Sequence, residues 1–143
     1  MKTYGSILLA LVATGCATGP ESQVATAESD ARPCIAHFSR VGNFMAREVS
    51  SWQEFSGIDY EKAFRNVAQA TTSFGWGNVN ANKDTGTITA GGGGGTLGVT
   101  VRDAGKGGVR VDAKMILRGL DNVTFTDEKA QKALCASIEA PRK

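Results

Sequence analysis

The segment from Leu97 to Met115 constrains the fold most, because its side chains alternate with a period of two on both sides of a turn. Leu97, Val99 and Val101 share one face, and Asp103-Ala104-Gly105-Lys106-Gly107 then reverses the chain. Val109, Val111, Ala113 and Met115 line one face of the return, while Arg110, Asp112 and Lys114 occupy the other. Such a pattern buries one face of a strand and wets the other, as in an antiparallel sheet. Trp76–Ala81 and Thr87–Ala90 read as two further strands around the turn Asn82-Lys83-Asp84-Thr85-Gly86. Residues 44–55 read as another strand, with a bulge expected near Ser50-Ser51 where the alternation breaks.

Two segments change the period to that of a helix. From Ile58 to Phe74, residues Tyr60, Ala63, Phe64, Val67, Ala68 and Thr71 recur on one face, with Asp59 placed as N-cap and Gly75 as stop. From Asp127 to Ala140, the stripe is Ala130, Leu134 and Ile138. The expected architecture is α+β: a single small domain in the order β-α-β-β-β-β-α, with about five strands in a curved antiparallel sheet and two helices on one face.

The N-terminus has a different character. Lys2 is followed by the apolar run Ile7–Ala13 and then by Thr14-Gly15-Cys16, the marks of a secretory signal. The run is shorter than the roughly 20 residues that span a bilayer. Thr14-Gly15-Cys16 resembles the lipobox of bacterial lipoprotein signals, in which the cysteine is acylated and becomes the first mature residue. The resemblance implies a signal peptide over 1–15, lipidation (palmitate included) at Cys16, and a membrane anchor of more than one acyl chain, which holds a protein stably. With Ala17 next, it also implies outer-membrane sorting, the domain facing the periplasm. Residues 16–33 then form a small, polar tether and residues 34–143 the domain. Without Lys2, Lys+Arg falls from 16 to 15 against 14 Asp+Glu, a net charge near +1, which provides no long-range field for nucleic acid.

With Cys16 acylated, the three cysteines reduce to the pair Cys34 and Cys135. A metal pair and a redox pair are the alternatives, but neither cysteine lies in a C-x-x-C spacing and His37 is the sole histidine. An oxidising compartment favours a structural disulfide.

Ile58-Asp59-Tyr60-Glu61-Lys62-Ala63-Phe64, Phe74-Gly75-Trp76 and Asn82-Lys83-Asp84-Thr85-Gly86-Thr87-Ile88 resemble a pattern in small uncharacterised bacterial envelope lipoproteins: a Tyr-x-x-Ala-Phe helix, a Gly-Trp strand and a Lys-x-x-Gly-x-Ile turn. The resemblance implies a small α+β envelope domain and assigns no chemistry to any residue.

No constellation in the chain points to catalysis. Gly91–Gly95 lacks the Lys-Ser/Thr and the helix that a phosphate loop requires, so a flexible hairpin connection is expected. His37 has no acidic neighbour in sequence, Ser50 and Ser51 have no nucleophile motif, and Asp59, Glu61, Asp84 and Asp112 fall on a cap, a helix, a turn and a strand. Arg102, Arg110 and Lys114 are expected on a solvated, mixed-charge sheet face, and Trp52 and Trp76 in the core. No catalytic, cofactor or metal residue is expected. The sequence reads as a membrane-anchored, non-enzymatic envelope lipoprotein that binds a protein partner or supports assembly. A lipid- or small-molecule-binding module is the alternative.

Overall fold

A computed structural model describes residues 32–92 and 94–143; the signal, Cys16 and nearly all of the tether lie outside them. The elements are α1 (Pro33–Ala36), β1 (Ser39–Gly42), β2 (Ala46–Ser56), α2 (Tyr60–Ser73), β3 (Asn80–Asn82), β4 (Thr87–Gly92), β5 (Gly95–Gly105), β6 (Gly108–Arg118), α3 (Gly119–Thr124), α4 (Asp127–Ile138) and a 3-10 turn at Ala140–Arg142. The protein is α+β, with one open antiparallel sheet of six strands in the order β1-β2-β6-β5-β4-β3. Short β1, α1 and α3 are additions to the expected order.

The long central strands bury alternate residues: Val49 and Phe55 from β2, Leu97, Val99 and Val101 from β5, and Val109 through Leu117 at every second position of β6. Against this face pack Ala63, Phe64 and Val67 of α2 and Ala130, Leu134 and Ile138 of α4. Asp59 accepts from the Lys62 amide at 3.0 Å and Thr126 from the Lys129 amide at 3.3 Å, so each long helix starts on a side-chain cap. Among the described residues, the opposite sheet face carries no helix.

Three sequence expectations are corrected. β2 pairs with β6 without interruption from Ala46↔Arg118 to Ser56↔Gly108, so there is no bulge at Ser50-Ser51; the irregularity falls at Asp103/Gly105 in β5. The apparent break arises because Ser51 and Gln53, both buried, take helix-facing positions while Trp52 faces outward. Ser51 is accommodated there because its hydroxyl donates to the Cys34 carbonyl. The strand expected over 76–81 forms only at Asn80–Asn82, after Asn78 takes a φ of 48°. Gly91, Gly92 and Gly95, expected in a flexible connection, are ladder residues, with Gly92 opposite Gly95.

Gly86 shows where the turn tolerates no side chain. Its φ is 67°, its carbonyl accepts from the Val101 amide at 2.8 Å, and a Cβ there would lie 2.2 Å from the Val101 carbonyl oxygen. Gly86→Ala is expected to cost about 1–3 kcal/mol, measured as a lower urea midpoint. An unchanged midpoint would mean that the hairpin relaxes freely.

Candidate functional site

Cys34 and Cys135 form the expected disulfide, 5.7 Å apart between Cα atoms and 101 residues apart in sequence. It joins α1 to α4, and both cysteines are buried. Glu139 Oε1 lies 3.2 Å from the Cys34 sulfur, and these three residues are within metal-ligating distance of one another. With the sulfurs joined, neither carries the thiolate charge that a metal ligand requires.

The other sequence candidates are dispersed. Asp59 caps α2, Glu61 pairs with Lys83 at 3.0 Å, and Ser51 is committed to the Cys34 carbonyl. His37, two residues before β1, continues the register in which Ser39 faces Ser50 and so comes beside Trp52. The two rings stack with centroids 3.7 Å apart. From the neighbouring strand, the Arg110 guanidinium covers the Trp52 ring at 4.0 Å.

Trp52 therefore belongs to the open sheet face rather than to the core. Its size alone suggests a core position, whereas the matching parity of Val49 and Phe55 places residue 52 on the other side. Around it, Asp112 accepts from Arg110 at 2.8 Å and from Arg102 at 2.7 Å, Arg110 approaches Glu54 at 3.6 Å, and Lys114 approaches Glu48 at 3.5 Å. Arg102, Arg110 and Lys114 are thus paired, as a mixed-charge face requires. Gly98 has no side chain to fill the space beside Lys114, and a shallow hollow of about 290 Å³ runs there from Trp52 and Asp112.

Burial pushes the Asp112 carboxyl up, but hydrogen bonds from Arg110 and Arg102 outweigh it and hold the group below its ordinary value of 3.8. A folded value below the unfolded one stabilises at neutral pH and loses that stabilisation as the group protonates below about pH 4. Asp112→Asn should cost about 1 kcal/mol at pH 7, since the cluster remains partly solvated, and should flatten the acid limb of a stability-pH profile. Parallel profiles for the two proteins would contradict the assignment.

A second hollow, about 320 Å³, lies on the helix side between the C-terminal end of α2 and α3. Phe74, Trp76, Leu117 and Phe125 line it, with backbone from Gly92 and Gly95. Trp76 is half-buried, and its Nε1 is buried without a hydrogen-bond partner among the described residues. The Gly94 amide donates to Asp121 at 2.6 Å, tying the glycine hairpin to α3.

The feature that sequence reading missed is at one end of the sheet. Phe44 and Met45, in the β1–β2 turn, are 83% and 67% exposed, while Leu120 and Val123 of α3 are 82% and 73% exposed. Asn122, buried between them, donates through Nδ2 to the Asn43 carbonyl at 3.0 Å and the Phe44 carbonyl at 2.8 Å. Asn122-Val123-Thr124 also matches the N-x-[ST] acceptor pattern for N-glycosylation, but the Asn122 amide nitrogen is engaged in the fold.

Behind this end, Arg47 is only 6% exposed and donates to Asp127 at 2.8 Å, while Arg40 reaches the other Asp127 oxygen at 3.0 Å. Burial lowers the Arg47 pKa, with Asp127 opposing that effect and Arg40 adding to it.

Compared with protein-family models and with curated proteins, the chain matches none. Among the described residues, no helix is long and apolar enough to cross a membrane.

Proposed function

We propose that the chain is a lipid-anchored envelope protein whose domain performs no chemistry and docks a protein partner on its open sheet face. The observation that carries this reading is Trp52, left half-exposed on a helix-free face between His37 and Arg110. Tryptophan and arginine are the residues on which binding energy concentrates at protein interfaces. The hollow beside Gly98 and Lys114 offers an adjoining recess for a partner side chain. The anchor rests on Thr14-Gly15-Cys16, and the outer membrane is the proposed location because Ala17 follows.

Labelled palmitate should enter the wild-type protein and not Cys16→Ser. Crosslinking in intact cells should then capture an envelope protein with wild type and lose it with Trp52→Ala plus Arg110→Ala. Capture that persists in this variant would remove the open face as the docking site. Turnover of a cell-wall or lipid substrate by the purified chain, with no partner captured, would overturn the whole reading.

The hollow lined by Phe74, Trp76, Leu117 and Phe125 favours a second reading, binding of a small apolar molecule or lipid chain. Its volume is near the lower end for ligand sites. Titration with N-phenylnaphthylamine should give a saturable fluorescence gain that Leu117→Trp abolishes by filling the space. A gain that survives this variant would place the dye elsewhere.

A further inference from the structure

We infer that the sheet end bearing Phe44, Met45, Leu120 and Val123 seats in the lipid surface of the membrane that holds Cys16. The inference rests on the proposed anchor and adds an orientation: one end of the domain to the bilayer, the open sheet face to the side.

Four large apolar side chains, each at least 67% exposed, come together from two separate elements. Exposed apolar groups scattered singly are ordinary, whereas a clustered group marks an interaction surface. Hydrogen bonds hold the cluster in place. Asn122 bridges α3 to the turn through the Asn43 and Phe44 carbonyls, and the Gly119 amide donates to the Met45 carbonyl at 3.4 Å.

The turn's backbone favours lipid over protein as the occupant. The Asn43 amide donates to the Ala46 carbonyl at 2.9 Å, and Asn43 Oδ1 accepts from the Met45 and Ala46 amides at 2.9 and 3.3 Å. Together with the bonds from Asn122 and Gly119, these satisfy the carbonyls of residues 43–46 and the amides of Asn43, Met45 and Ala46. Of the amides of residues 43–46 only that of Phe44 has no partner among the described residues. The turn thus satisfies nearly all of its polar backbone internally, as contact with a lipid layer favours, whereas a turn awaiting a β-type partner would leave a row of such groups free.

Charge points the same way. Asp127 is neutralised by Arg40 and Arg47, and Asp121 is committed to the Gly94 amide. Arg118, exposed and opposite Ala46 in the ladder, has no ion-pair partner among the described residues. Its guanidinium suits an anionic headgroup while the apolar side chains enter the layer below.

The anchor reaches. Ser51 contacts the Cys34 carbonyl, and the five steps along β2 from Ser51 to Ala46 span about 17 Å. The chain from Cys16 to Arg32 extends to roughly 50 Å at most, so the acyl chains and the apolar end can occupy one leaflet together.

The test uses the full chain in its own cells, with p-benzoylphenylalanine incorporated at Phe44, at Leu120 and, as the far-end control, at Lys106. Lys106 lies in the turn before β6, a strand of 11 residues that separates it from Arg118. After irradiation, phospholipid adducts at Phe44 and Leu120 should exceed those at Lys106 at least tenfold. Adducts to a discrete protein at both positions, or lipid adducts no higher than at Lys106, would overturn the inference. Palmitate labelling of the same cells tests the anchor separately: label present without lipid adducts defeats the seated end alone, whereas label absent defeats the anchor. Phe44 and Leu120 are over 80% exposed, so an intact disulfide and an unchanged melting temperature verify that each probe-bearing protein is folded.

Discussion

Replacing both Cys34 and Cys135 with alanine lowers the unfolding free energy by about 2–5 kcal/mol. The link closes a loop of 101 residues, for which the chain-entropy model gives about 4.7 kcal/mol before native-state strain and denatured-state structure reduce it. A loss of that size is a large fraction of the 5–15 kcal/mol that holds a domain of this kind folded. The damage should concentrate at α1, a helix of four residues held by α4 and β2 and lacking a side-chain cap. Urea unfolding of the oxidised wild type, the reduced wild type and the double variant measures it. The second and third should share a midpoint well below the first. Coincidence of all three would mean that the disulfide contributes nothing to stability.

Asp127→Ala should cost about 2–4 kcal/mol. It leaves the Arg47 guanidinium buried without a counter-charge, and Arg47 Nε and Nη2 already lack partners among the described residues. Breaking a buried pair by removing one partner commonly costs about 3–5 kcal/mol, and the range is lowered here because Asp127 keeps 28% of its side-chain exposure. Replacing the charge by a similar apolar volume removes the desolvation problem, so Arg47→Met alone should be nearly neutral or stabilising. Thermal melts of the two single variants and the double variant form a cycle that isolates the coupling. An Asp127→Ala loss that persists undiminished in the Arg47→Met background would show that the cost lies in α4 and not in the ion pair.

Elements that face one core with a regular period were legible in the chain. β6 alternates without error from Val109 to Leu117, and α2 and α4 carry clear apolar stripes, so each announces its own buried face. β1 does not, because all four of its residues are exposed and the strand exists through pairing with β2 alone. α3 is equally silent: its buried residue is Asn122, while Leu120 and Val123 point away from the core. Hydrophobicity would have assigned those two residues to the interior, and only the fold shows them outside.

Trp52 illustrates the same division in a single strand. Its parity with respect to Val49 and Phe55 was legible, but the ring stack with His37 depends on a register between strands, and Arg110 arrives from a strand far along the chain. Local order sets which face a residue takes, because side chains alternate by backbone geometry. It does not set which neighbour stands beside it.

The α+β class and the two long helices follow from the sequence, since periodicity is a property of the chain itself, and the pairing of Cys34 with Cys135 follows from it once the lipobox resemblance sets Cys16 aside. The helix-free sheet face around Trp52, the buried Arg47–Asp127 pair and the apolar end built from Phe44, Met45, Leu120 and Val123 were decided by tertiary structure. Each joins segments dozens of residues apart, and exposure is a property of the packed surface that no single segment carries.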